Sequence, residues 1–161
     1  MPGLNSAVNA GTARILHKGS PARGKMNSTP IHPDGNASVH LQENIQVIIA
    51  DPDHAARRAL MLVLKHKFGV RQVLEAGDVE TLIRCLADCS PELLLLDWNL
   101  SGAPAPETCC LLRKAYPALK IILLSADAND ADAAQKAQVH FVHKGAAPEQ
   151  LIATLTPYIQ E

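Results

Sequence analysis

Four polar side chains in this sequence each close or directly follow a short apolar run. They are Asp51 after Val47-Ile48-Ile49-Ala50, Asp97 after Leu93-Leu94-Leu95-Leu96, Ser125 after Ile121-Ile122-Leu123-Leu124, and Lys144 after Phe141-Val142-His143. A carboxylate straight after four leucines leaves a buried strand with no helix to cap for several residues. The cost of burying an unpaired carboxylate makes Asp97 a site residue before it is a structural one. Two carboxylates on one rim are hard oxygen ligands of the kind Mg²⁺ takes, alongside water and a phosphate. A hydroxyl and an ammonium can hold the remaining phosphoryl oxygens, which is the electrostatic arrangement that in-line phosphoryl transfer needs. Each residue alone has an ordinary reading. Asp51 before Pro52 also suits a helix N-cap and first position, Ser125 a strand-end hydroxyl, Lys144 a loop charge and Phe141 a core aromatic. Their order along the chain turns the balance towards chemistry.

That order matters only if the elements bring the four residues to one place. Residues 46–50 form a continuous apolar stretch typical of a strand buried on both faces. A helical pattern from Pro52 to about His66 follows, with Ala56, Ala59, Leu60, Val63 and Leu64 on one side and Gly69 closing it. The alternation repeats as Val70 to Glu75 with Asp78 to Asp88, Leu93 to Asp97 with Pro106 to Ala115, Lys120 to Ser125 with Asp130 to Ala137, and His140 to His143 with Pro148 to about Thr156. Pro157 is expected to end or bend the last helix. Five βα units with short connections predict an α/β fold, a doubly wound, parallel, five-stranded sheet with right-handed crossovers and helices on both faces. In such sheets ligands sit beyond the carboxyl ends of the strands, where Asp51, Asp97, Ser125 and Lys144 fall.

These residues carry a resemblance. Residues 45–161 are similar to the receiver domain of bacterial two-component response regulators, which have a flavodoxin-like (βα)5 fold. The segment from Leu93 through Asp97-Trp98-Asn99-Leu100-Ser101-Gly102 resembles the strand and loop that bear the phosphoacceptor aspartate. Ile122-Leu123-Leu124-Ser125-Ala126 resembles the strand ending in the switch hydroxyl, and Phe141-Val142-His143-Lys144-Gly145 the switch aromatic three residues before the lysine. The resemblance implies that Asp97 takes phosphate from a histidine kinase or phosphotransfer protein, with Ser125 and Lys144 completing the catalytic set. It implies Mg²⁺ held by Asp51, Asp97 and the backbone carbonyl of Asn99, and a switch made of Ser125 and Phe141. The chain would act as a stand-alone receiver that signals through contacts with a protein output partner, with a homodimer left open. It would be a phosphoprotein and not an enzyme turning over a released substrate.

One departure bears on all of this. Receivers usually carry two adjacent acids after the first strand, whereas here the run is Ala50-Asp51-Pro52-Asp53. With Pro52 where the second acid belongs, Mg²⁺ binding is expected to be weaker and phosphorylation slower, with Asp53 able to substitute only through a reshaped turn. Two rival readings follow. One is a receiver-like binding module that acts without phosphate. The other is a phosphatase resembling the haloacid-dehalogenase type, with Asp51 as nucleophile and Asp53 as acid/base. The second lacks the acidic metal ligands required after the lysine and leaves Leu93 to Asp97 unexplained. Ser101 in place of a common proline, and a fourth helix shorter than usual, are smaller departures.

The bulk properties agree with one ordinary domain. The chain has 161 residues, 47% hydrophobic and 19% charged, and a formal net charge of −1, which argues against a nucleic-acid binder driven by a global basic field. Residues 1–44 hold four basic and two acidic residues, five of the nine glycines and none of the aromatics, so a disordered polar N-terminal extension is expected there. No apolar run is long enough for a membrane span and no secretory signal is visible, so a soluble cytoplasmic protein is expected. The four cysteines read as reduced thiols; Cys85 with Cys89 and Cys109 with Cys110 lack the partners of a zinc site.

Overall fold

A computed structural model of the protein describes residues 45–160; the polar extension over 1–44 lies outside the described residues. The elements run β1 (Gln46–Ala50), α1 (His54–Phe68), β2 (Gln72–Ala76), α2 (Val79–Asp88), β3 (Leu93–Asp97), α3 (Ala105–Ala115), β4 (Lys120–Ser125), α4 (Ala131–Lys136), β5 (His140–His143) and α5 (Pro148–Ile159). All strand pairs are parallel and the order in the sheet is β2-β1-β3-β4-β5. This is the 2-1-3-4-5 order of flavodoxin-like folds, whose direction of winding reverses between β1 and β3.

The unbroken apolar runs of the central strands are explained by two cores, one on each face. Alternation sends Val47, Ile49, Leu93, Leu95, Ile122 and Leu124 to the core completed by Leu64 and Phe68 of α1 and Leu155 and Ile159 of α5. It sends Ile48, Ala50, Leu94, Leu96, Ile121 and Leu123 to the opposite core, closed by Leu82 and Leu86 of α2, Cys109 and Leu112 of α3, and Ala134 of α4. A strand with a layer of helices on each side has no solvent face on which to place polar residues.

β1, β3, β4 and β5 occupy the residues expected of them; the larger differences at the other boundaries have identifiable reasons. α1 begins at His54, because its N-cap is Asp53, whose carboxylate accepts the Ala55 amide at 2.8 Å. β2 starts two residues late, because the amides of Gly69, at φ 68°, and Val70 turn back to the carbonyls of Lys65 and Leu64 and close α1. α5 continues through Pro157 to Ile159 instead of ending at about Thr156. The carbonyl that loses a donor to the proline belongs to Ala153, which is exposed together with Pro157, so water can replace the missing amide. The fourth helix is short, six residues preceded by a single 3₁₀ turn over Ala128–Asp130. Among the described residues, no helix is long and apolar enough to cross a membrane.

Candidate functional site

The winding reversal puts β1 and β3 side by side at the centre of the sheet, with Ala50 opposite Leu96, so the residues that follow, Asp51 and Asp97, leave the sheet together. Both are almost wholly buried, at 1% and 2% exposure. Lys144 reaches them from the end of β5, its amide donating to the Ser125 carbonyl at 2.7 Å. Its Nζ stands 2.6 Å from Asp51 Oδ2 and 2.5 Å from Asp97 Oδ2. The second oxygen of each acid is held by a local amide, Asp51 Oδ1 by Asp53 N and Asp97 Oδ1 by Asn99 N, each at 2.8 Å. Among the described residues no buried side-chain nitrogen or oxygen lacks a partner. Burial works against the Lys144 ammonium, but hydrogen bonds to Asp51 and Asp97 and their charges outweigh it, holding the lysine above its ordinary pKa.

Asp51 is therefore a rim residue and not the cap of α1. That role belongs to Asp53, which is exposed and turned onto Ala55, so the Asp51-Pro52-Asp53 turn does not present two acids to the rim. This geometry removes the acid/base partner that a haloacid-dehalogenase-type reading requires. Arg57 is a residue the sequence pattern did not single out. Its Nη1 donates to the Asp51 carbonyl at 2.7 Å and its Nε pairs with Glu75 at 2.9 Å, so the guanidinium pins the turn that carries Asp51 to the end of β2. On the other side of the rim, the Val79 amide donates to the Ser101 carbonyl at 2.9 Å, tying the β3–α3 loop to the start of α2. Gly102, at φ 115°, follows directly.

Ser125 lies at the same rim, but its hydroxyl is not on the carboxylates. It donates to Asp130 Oδ2 at 2.5 Å and accepts the Asp127 amide at 3.0 Å. Phe141 is half-buried, packed against the core on the α2, α3 and α4 face. Asn99 is exposed beside Asp97, and with Trp98, Ser125, Ala126, Asp127 and Asp130 it lines an open depression of about 490 Å³. The four cysteines are free thiols, and burial pushes the Cys109 thiol up to about 12, which suits packing and not nucleophilic chemistry.

The donor set suits a hard cation such as Mg²⁺. Oxygens of Asp51 and Asp97 already converge on one cationic atom, the Lys144 ammonium, so they stand close enough to share a cation. Among the described residues no third His, Cys, Asp or Glu joins them, as Pro52 dictates. Two carboxylates fit a metal that keeps most of its ligands as water and phosphate oxygens, and offer one charge fewer than a three-acid site.

Comparison with known proteins agrees with the geometry. Residues 47–156 match the family model of the response regulator receiver domain. A curated relative, the transcriptional regulatory protein YvrH of Bacillus subtilis, is 32% identical over 90 residues, which are 56% of this chain and 37% of that protein. Among solved structures, RcsB of Salmonella enterica bound to the promoter rprA with the phosphomimetic BeF₃⁻ aligns at TM-score 0.66 and 26% identity, covering 71% of this chain and 60% of that one. The isolated receiver domain of RcsB with BeF₃⁻ aligns at TM-score 0.64 and 24% identity, over 73% of this chain and 92% of that one. The chain thus spans well under half of the curated relative and somewhat more than half of the promoter-bound one. With the fold order, the central pair of buried acids, the lysine between them and a family match over most of its length, the chain belongs to the response regulator receiver domain family.

Proposed function

We propose that Asp97 accepts a phosphoryl group from the phosphohistidine of a histidine kinase or phosphotransfer protein, and that the phosphorylated domain signals through contacts with a protein output partner. The observation that carries this reading is the Lys144 ammonium held between two buried carboxylates at the carboxyl ends of β1 and β3. An oxygen of Asp97 attacks the phosphorus in line, the P–N bond to the imidazole breaks, and its electron pair leaves with the ring nitrogen, which takes up a proton. Asn99 N and Lys144 fix the carboxylate's orientation beforehand, so little reorganisation accompanies the attack. Lys144 then follows the new negative charge from the carboxylates to a phosphoryl oxygen. Asp51, Asp97 and the Asn99 carbonyl are the groups that would hold Mg²⁺, which when bound neutralises charge on the phosphoryl oxygens. Ser125 takes another phosphoryl oxygen, and Phe141 moves inward against the core as the hydroxyl shifts, so phosphate favours one of two packings. We place the exchange in the cytoplasm, where four free thiols stay reduced.

The second reading, a module that binds its partner without phosphate, is favoured by one observation: Pro52 removes a metal ligand and Asp53, engaged with Ala55, does not replace it. Trp98, the single tryptophan, follows Asp97 directly and separates the two readings. Under the first, its emission changes when Mg²⁺ and then beryllofluoride or acetyl phosphate are added, and acid-labile phosphate forms on the wild type but not on Asp97→Asn. Flat emission and no acyl phosphate would leave the binding module.

A further inference from the structure

We infer that Asp130 is a positioning residue that latches the Ser125 hydroxyl away from the acceptor, so that phosphoryl uptake on Asp97 must compete with an internal carboxylate for the same proton donor. The inference deepens the phosphoacceptor reading and rests on it.

Three observations converge on Asp130. First, the turn leading into α4 is already capped by Asp127, whose side chain accepts the Asn129 amide at 2.9 Å, so the Asp130 carboxylate has no capping duty. It accepts the Ser125 hydroxyl instead, at 2.5 Å, within the short range of a charge-assisted O–H···O⁻ bond. Second, the Ser125 backbone is fixed independently of that bond. Its carbonyl accepts Lys144 N at 2.7 Å, and the next carbonyl, of Ala126, is 2.8 Å from His143 Nε2. His143 is itself oriented by the Gly145 amide on Nδ1 at 3.1 Å. With the strand end held from two sides, a change of partner for the hydroxyl is a rotation about its own side-chain bond. Third, Ser125 continues the Ile121 and Leu123 series, which faces the core that α4 completes, so its side chain leaves the sheet on the side where Asp130 stands.

A serine hydroxyl has one proton to donate. In the latched arrangement the hydroxyl donates to Asp130 Oδ2, and a phosphoryl oxygen on Asp97 receives that hydrogen bond only by displacing the carboxylate. The displaced acid then borders the depression shared with Trp98 and Asn99, close to the incoming anion. The latch therefore opposes the phosphorylated packing twice, by holding the donor and by adding like charge. The first effect requires Ser125 and the second does not.

The test uses the full chain with Mg²⁺ and beryllofluoride as probe, read by Trp98 emission, for wild type, Asp130→Ala, Ser125→Ala and the double variant. Loss of a competing charged acceptor should raise the apparent beryllofluoride affinity of Asp130→Ala about tenfold. On the Ser125→Ala background the same change should give clearly less. Provided the wild type binds beryllofluoride, an equal gain on both backgrounds, or none on the wild-type background, overturns the latch, the former leaving only charge repulsion. A second measurement needs no phosphate analogue. Side-chain three-bond couplings should report one Ser125 rotamer in the wild type and averaging in Asp130→Ala; a single rotamer in both overturns the latch. If the rotamer is released while the wild type ignores beryllofluoride, the latch contact stands and the phosphoacceptor reading is the one that fails.

Discussion

The Lys144 ammonium lies 2.5 Å from Asp97 Oδ2 at the end of β3, and the same nitrogen neutralises Asp51, so two buried acids share one counterion. Removing it leaves like charges side by side in a buried site. Lys144→Ala is expected to lower stability by about 2 kcal/mol, less than for a fully buried pair because the lysine is partly exposed. Adding Asp97→Asn to that variant should restore part of the loss. Urea unfolding near neutral pH measures both; an Asp97→Asn change that further destabilises Lys144→Ala would contradict the shared-counterion account.

A pH dependence follows from the same contact. The folded-state pKa of Lys144 is raised, so its contribution is complete below the unfolded lysine value of about 10.4 and is lost as pH climbs through the higher folded value. Thermal unfolding followed into that alkaline range should show a fall in Tm for the wild type that is shallower in Lys144→Ala.

Restoring an acid at Pro52 should strengthen cation binding. The residue is exposed and precedes the helix proper, so Asp is accommodated without repacking. Pro52→Asp is expected to tighten Mg²⁺ binding about tenfold, the effect of adding one carboxylate ligand worth roughly 1.4 kcal/mol. A Mg²⁺ titration of Trp98 emission measures it, and equal affinities would show that the turn points position 52 away from the metal.

Arg57 anchors the Asp51 turn through geometry as well as charge. Arg57→Ala leaves the Asp51 carbonyl and Glu75 without their shared partner and should cost about 1–3 kcal/mol. Arg57→Lys retains the charge but not the two-pronged fork, so it should recover less than half of that. Full recovery by lysine in a urea titration would reduce the contact to a simple ion pair.

Gly102 combines φ 115° with a built-in clash, since a Cβ there would lie 3.1 Å from Val79 Cβ. Gly102→Ala should cost about 1–3 kcal/mol. The added change Val79→Gly, which removes that Cβ, should return only the steric part in a double-mutant cycle, because the backbone conformation at position 102 stays unfavourable. Complete rescue by Val79→Gly in that cycle would place the whole penalty in the contact.

Much of this architecture was readable from pattern. Four strands matched to the residue because apolar runs buried on both faces are bounded sharply by Asp51, Asp97, Ser125 and Lys144. The same boundaries located the rim, and the acids and lysine expected there do meet. The start of α1 was not legible, since Asp51-Pro52 satisfies the rules for an N-cap and first helical residue as well as Asp53-His54 does. What decides is that Asp51 has a stronger partner in Lys144, 93 positions away. Arg57 and Asp130 were invisible for a related reason. Each acts through side-chain hydrogen bonds to residues outside its own helix, which leave no periodic trace, and Asp130 read simply as the first residue of a helix.

The strand order also sets what this site depends on. β1 and β3 lie inside the sheet and bring Asp51 and Asp97 side by side, while their counterion comes from Lys144, directly after the edge strand β5. A sheet whose edge frays at β5 keeps both acids together with nothing between them. The acceptor is therefore a prepared site only while the edge strand is in place.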